Sequence, residues 1–294
     1  MTIPATLQAP LALGATTVAR AWAVTRADGL SLGFTDHDGP LSFDGLLFRP
    51  NAGLSARAVV HGTGLAVDNT EALGVLSDDG ISEADLEAGR WDGAEVRLWH
   101  VDWTHPESRA LRFRGTLGEV RRGAGAFHAE LRGLSEALNR PLGRLYQASC
   151  PAVLGDAACR VDLSGAPFAE VRPAGLTDGR TFRLEGFGLY ARRWWERGRL
   201  LVLTGAARGL SGTIKHDAVE DGARVIELWS ALRAPVAPED QVRLVAGCDK
   251  RLETCRLKFA NTANFRGFPF VPGDDWLLSV PSRTARNDGG SLRS

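Results

Sequence analysis

Short runs of alternating or clustered apolar residues, each cut off by Gly, Asp or Pro, recur along the first half of the chain and predict strands. Ala21–Ala27, Leu30–Thr35 and Leu41–Arg49 form one group, with Asp-Gly turn signals in the intervening ADG and DHDG and a third inside the last run. That arrangement predicts an antiparallel meander. Ala94–Trp103, Ala110–Val120 and Ala126–Arg132 repeat the pattern, separated by THPES and RRGAG. Helical signals are brief. Ser82–Ala88 begins with a capping serine and carries Asp85 in the capping-box position, and Ser135–Arg140 stops before Pro141.

The second half has the same texture on a smaller scale. Thr181–Leu184, Arg199–Leu203, Gly212–Asp217, Arg224–Leu228 and Gln241–Val245 read as strands at turn-punctuated intervals, which suits a compact barrel or sandwich. The fold class expected is therefore mainly β, with a β-rich N-terminal domain and a small inserted β domain. The last residues, ARNDGGSLRS, are polar and rich in Gly and Ser and predict a flexible or partner-bound tail.

Composition excludes more than it suggests. The 294 residues suffice for about two domains, and no stretch approaches the roughly eighteen apolar residues of a membrane span. The 35 basic and 35 acidic side chains cancel, so bulk charge calls for neither nucleic acid nor an anionic membrane. MTIPATLQAPLALGATT lacks the basic and uninterrupted apolar regions of a signal peptide, an expectation that favours metal over disulfide for any clustered thiols.

Those thiols are the chain's one recognisable piece of chemistry. Its four cysteines fall into two pairs, Cys150 and Cys159 in CPAVLGDAAC and Cys248 and Cys255 in CDKRLETC. Eight residues separate the first pair and six the second, wider than the two to four of a usual zinc knuckle. Fe–S clusters take four cysteines at more variable spacing. By spacing alone, an iron–sulfur cluster, zinc, and unliganded or disulfide-bonded cysteine all stay open. If the pairs meet at one metal, they clip the ends of the inserted domain together. The organisation expected is an N-terminal domain over 1–147, a first cysteine region over 148–176, the inserted domain over 177–246, a second cysteine region over 247–276, and the tail over 277–294.

RLYQASCPAVLGDAACRVD, the inserted domain, and then GCDKRLETCRLKFANTANFRGFPFVPGDD follow the β-rich half in a characteristic order. In this the chain resembles the tail-tip hub proteins of long-tailed, siphophage-like phages and of gene transfer agents. The C-terminal stretch is the most specific part, with its Asn261–Asn264–Phe265 block and Gly267–Phe268–Pro269 turn. The resemblance implies a structural baseplate or hub component of a virion or gene transfer agent particle, assembled in the bacterial cytoplasm, and not an enzyme. It implies a homotrimer joining the distal tail protein and tail tube to a central fibre or spike, with DNA passing nearby without specific binding. It also implies a [4Fe-4S] cluster on Cys150, Cys159, Cys248 and Cys255 in a structural role, ahead of zinc. Arg160, Lys250, Arg251 and Arg256 stand close enough in sequence to offset the charge of such a cluster.

Other candidates are weaker. Asp36, His37 and Asp38 could bind a divalent ion, but adjacent side chains rarely converge, and a turn is the plainer reading. His100, His105 and Glu107 are expected on an exposed loop. Trp194 and Trp195 in YARRWWERGR could stack on a sugar or base, against the plainer reading of core or partner-facing packing. The alternative functions are a cytoplasmic Fe–S redox protein and a carbohydrate-binding or cell-wall-binding tail component using Trp194, Trp195 and Trp229. No GxSxG, HExxH, P-loop or GxGxxG in a strand-to-helix context supports hydrolase or nucleotide chemistry.

Overall fold

The computed structural model describes residues 4–12, 15–50, 54–56, 69–74, 82–123, 126–133, 143–187 and 190–271. The helix expected at Ser135–Arg140 and the tail over 277–294 lie outside them. The chain forms two compact units, one of Met1–Leu142 with Val202–Leu210 and Ala231–Asp240, the other of Gly143–Leu201, Ser211–Ser230 and Gln241–Ser294.

The first unit is built on a nine-stranded sheet of β1 (Val18–Thr25), β2 (Ser31–Thr35), β3 (Leu41–Phe43), β4 (Leu46–Pro50), β5 (Leu54–Ala56), β6 (Asn69–Gly74), β7 (Glu95–Asp102), β8 (Arg109–Gly123) and β9 (Ala126–Gly133). Their spatial order is β3-β4-β2-β1-β7-β8-β9-β6-β5. The strands expected from the pattern are present, but the meander is broken once. Phe-Asp-Gly-Leu makes a tight hairpin with Asp44 (φ 50) and Gly45 (φ 73) both left-handed, as a type I′ turn requires. That hairpin lays β4 parallel to β2 (Gly33↔Phe48, Thr35↔Pro50) and leaves β3 at the edge. The DHDG loop therefore crosses over instead of closing a hairpin. The short helix Glu83–Glu87 follows its cap as expected, with the Ser82 hydroxyl accepting from the Asp85 N–H.

Both faces of this sheet are covered, which is why β1 reads as a continuous buried run, Ala21 to Val24, where a one-sided sheet would alternate. Trp22, Val24, Phe34, Val96, Leu98 and Phe113 pack in one core. Ala21, Ala23, Phe43, Phe48, Trp99 and Val101 pack in the other. A bulge sorts β8 between them. Leu98 pairs with Phe113 but Trp99 pairs with Leu111, so Arg112 is the extra residue. It inverts the alternation, sending Leu111 to the second core and Phe113 to the first despite their like parity.

The second sheet is seven-stranded, in the order β10-β16-β13-β14-β15-β12-β11. Its strands are β10 (Ala169–Pro173), β11 (Leu176–Thr177), β12 (Thr181–Leu184), β13 (Arg199–Val202), β14 (Ser211–Glu220), β15 (Ala223–Leu228) and β16 (Gln241–Val245). Here alternation is regular, and Phe182, Leu184, Leu200, Ile226, Leu228, Val242 and Leu244 are fully buried. Each such side chain stabilises the fold by about 1.5–3 kcal/mol relative to an exposed position.

β14 departs from the rule. Ile214 pairs with Leu228 and His216 with Glu227, so Lys215 is an extra residue and the parity switches. Ile214 and Asp217 consequently both point inward. The Asp217 carboxylate, wholly buried, accepts from Arg224 Nε at 2.5 Å and Nη2 at 2.7 Å, and from the Trp195 backbone N–H at 2.8 Å. Arg224 donates onward to the carbonyls of Tyr190 (2.9 Å) and Ala191 (2.6 Å). This network fixes the loop over 190–197, whose Trp195 is buried against Phe187 and Tyr190.

Removing one member would strand the other in the core. Asp217→Ala should lower unfolding free energy by about 3–5 kcal/mol, whereas the double change Asp217→Leu/Arg224→Met, which removes both charges, should cost much less. Urea denaturation of the three proteins checks this, and equal losses would sink the account.

Candidate metal centre

The first cysteine loop is shaped by one carboxylate. Asp156 accepts from the backbone N–H groups of Cys159 (2.7 Å) and Ala158 (2.9 Å) through one oxygen and of Val153 (2.9 Å) through the other. Those bonds, the one from Cys159 foremost, hold its carboxyl below the usual range. The loop thus closes on itself between Cys150 and Cys159. Sequence reading quoted this aspartate only as part of GDAAC, although an Asp three residues before a turn's end is a known way to satisfy such N–H groups.

The second pair is brought to the first by backbone and side-chain ties. The Cys150 N–H donates to the Lys250 carbonyl at 2.9 Å, and the Lys250 ammonium returns a bond to the Ala152 carbonyl. Gly247, just before Cys248, lies so close to the backbone of Glu196 that any Cβ would overlap the Glu196 carbonyl, so only glycine fits. Cys255 stands in the helix Leu252–Leu257. Its N–H donates to Arg251 O at 3.1 Å.

Asn261 joins the two pairs directly. Its side-chain amide donates to the Cys159 carbonyl at 2.6 Å and lies 3.7 Å from the Cys159 sulfur. Its N–H donates to the Cys255 carbonyl at 3.0 Å, and its own carbonyl accepts from the Cys255 thiol at 3.3 Å. Asn264 Nδ2 donates to Asn261 Oδ1 at 2.7 Å and so fixes the amide's orientation. In sequence this asparagine was only a mark of resemblance, with no role assigned. Nothing local reveals the tie to Cys159, which lies 102 residues away, although Cys255 is only six residues away.

The four thiols are free and half-buried. Burial pushes the Cys248 thiol up, opposed chiefly by the backbone N–H and the charge of Lys250. Cys255 is also raised by burial, and then by Cys248, Cys159 and Cys150 in turn. Cys255 therefore lies within electrostatic reach of the other three sulfurs, and Cys248 within reach of Cys159. Four thiolates without a competing imidazole form the soft donor set that suits an Fe–S cluster or zinc. Zinc alone would need each sulfur about 2.3 Å from one point. Among the described residues, no three His, Cys, Asp or Glu side chains are arranged to hold a single metal ion.

The expected charge-offsetting residues divide. Lys250 reaches the first loop and lowers the Cys248 thiol, while Arg160, Arg251 and Arg256 are exposed. The FRGFPF turn packs along the residues just before Cys150: the Phe268 N–H donates to Gln147 O at 2.8 Å, and Phe268 meets the Tyr146 ring at 4.6 Å.

The remaining candidates resolve as packing. Asp36 accepts from the Arg20 N–H at 2.6 Å, and His37 stacks on Trp103 at 4.9 Å, so DHDG is a structured loop. His105 and Glu107 are exposed as expected. His100 instead lies in β7, opposite Arg20, where burial first and the nearby Arg112 and Arg20 next push its pKa down. Trp195 is core. Trp194 has Lys258 over its ring at 4.4 Å and Phe168 stacked against it at 6.3 Å, so neither ring is an open stacking platform. Trp229 is exposed, with Lys215 at 6.0 Å from its ring.

With this geometry in view, the comparisons are consistent. The family described as "Baseplate hub protein, N-terminal attachment domain" matches residues 4–162, more than half of the chain. A second, "Phage conserved hypothetical protein BR0599", matches residues 193–275, which include the second cysteine pair. No curated protein matches. Among solved structures, a chain described as "Virion of native gene transfer agent (GTA) particle" is 55% identical, with a TM-score of 0.90 over 98% of this chain and 100% of that one. The chain belongs to the baseplate hub protein family.

Proposed function

We propose that this chain is a structural hub at the tip of a phage-like tail. In this reading it is a homotrimer that connects the tail tube to the central fibre or spike, and Cys150, Cys159, Cys248 and Cys255 hold a [4Fe-4S] cluster. Its place is the virion-type particle to which the family and the matched chain belong. The function lies in surfaces, and the reading contains no catalytic step. A ring of identical subunits closes by cyclic symmetry, which suits a part that must cap a tube. Among the described residues, no helix is long and apolar enough to cross a membrane.

What supports the cluster is that all four thiols are free and that Cys255 lies within electrostatic range of the other three. A bound cluster would supply covalent ties across that gap, so its binding free energy would add to folding free energy. The chain's own residues would hold the cysteine segments together around such a cluster. Asp156 holds one loop, Gly247 admits the close approach of the second segment, and Asn261 fixes Cys159 against Cys255. Lys250 offsets part of the thiolate charge.

Two measurements test this. Protein purified without oxygen should be brown, with about four iron and four sulfide per chain, and Cys248→Ser should bleach it. One zinc per chain would keep the clip and refute the cluster, and a metal-free, stably folded protein would refute both. Asn261→Ala should retain the four ligands yet lower stability by about 1–2 kcal/mol and speed iron loss to a chelator. Unchanged chelation kinetics would show that the asparagine tie has no part in holding the site.

A further inference from the structure

A cleft of about 470 Å³ lies wholly within the second unit, between the loop over 192–197 and the segment over 247–258. Its charge is lopsided in a chain of zero net charge. Arg192, Arg193, Arg197, Arg251 and Lys258 line it, against Glu196, Asp249 and Glu253.

These cations are not equivalent. Lys258 is structural: its ammonium donates to the carbonyls of Trp194 (2.5 Å) and Gly247 (2.8 Å) beneath the Trp194 ring. Arg193 is clamped by both oxygens of Glu196, at 2.5 and 3.2 Å. Among the described residues, no ion pair engages the guanidinium groups of Arg192, Arg197 and Arg251. Two of the loop's arginines, Arg193 (φ 63) and Arg197 (φ 64), also sit in the left-handed region. Glycine or asparagine would take that backbone with less strain, so the fold tolerates strain at two of the four positions that present arginine to the cleft.

From this geometry we infer that the cleft binds an acidic segment of a protein partner. Carboxylates would bridge the open guanidiniums of Arg192, Arg197 and Arg251, the planar forks best matched to them. Asp249 and Glu253 would receive a basic residue of the same segment and set its register. Arginine lining a concave surface is a residue type that anchors protein interfaces. A nucleic-acid strand fits less well. The carboxylates interrupt the run of cations that a phosphate backbone follows, and Trp194 is half-buried with Lys258 over its ring, which makes it a poor stacking platform. A sugar lacks the same open aromatic face. The inference rests on the hub reading only in that the partner is then another protein of the particle.

The test uses the full chain, purified without oxygen, titrated with a fluorescein-labelled peptide of Asp and Glu and with a single-stranded oligonucleotide of equal charge. The peptide should bind in a salt-sensitive way, and Arg192→Ala/Arg197→Gly should weaken it about tenfold. Because glycine relaxes the backbone at 197, this variant should keep its melting temperature and iron content, which separates lost recognition from lost folding. Tighter binding of the oligonucleotide, equal binding by variant and parent, or no binding of either probe would overturn the inference. Absence of the chain from purified particles would overturn the hub reading instead and leave the titration readable.

Discussion

The buried pair of Asp217 and Arg224 is the constraint on which the second unit depends. A carboxylate and a guanidinium taken out of water are stabilising only when every hydrogen-bonding position is filled. Here the carboxylate also holds the Trp195 N–H, and the guanidinium holds two carbonyls of the loop over 190–197. The core ion pair therefore anchors a loop that also makes its own turn hydrogen bonds, Trp194 N–H to Ala191 O and Gly198 N–H to Trp195 O. From it the order passes outward. The Gly247 N–H donates to Trp194 O at 3.2 Å, and Lys258 ties Trp194 to Gly247. Cys248 and Cys255 thus hang from a loop fixed by a pair that touches neither of them.

Both sheets use the same device to reach this specificity. An extra residue, Arg112 in β8 and Lys215 in β14, inverts strand parity. In the first unit the inversion lets one strand feed two cores. In the second it turns a charged residue inward to meet Arg224. A bulge does this at small cost, because it re-aims a side chain without ending the strand.

The cysteine neighbourhood shows how a site can be legible in composition and opaque in geometry. Two pairs of thiols stand out in any reading of the sequence, and the turn residues around them are visible too. The residues that organise the site do not stand out. Asp156 acts through three backbone donors of its own loop, Asn261 through the carbonyl and sulfur of a residue 102 positions earlier. One aspartate and one asparagine among many carry no local signal of such work. The YARRWWERGR segment is a similar case. Its aromatic and basic character is plain, and Glu196 stands beside Arg193 in the same segment, but the packing of Phe168 and Lys258 on Trp194 is not legible there.

Local alternation and turn chemistry by themselves determined that this chain is mainly β, where most of its strands lie though not β5, β6, β10 or β11, and that its thiols come in two pairs, since those properties depend on neighbours a few residues apart. Strand partnership was beyond them. The parallel run of β4 on β2 and the two parity inversions follow from which surfaces could be buried together. Tertiary structure alone decided that Asp217 meets Arg224, that Asn261 bridges Cys159 and Cys255, and that three arginines face an open cleft. The tie from Asn261 to Cys159 and the cleft join segments distant in sequence, and even the Asp217–Arg224 pair, seven residues apart across one hairpin, depends on the bulge at Lys215 that turns Asp217 inward.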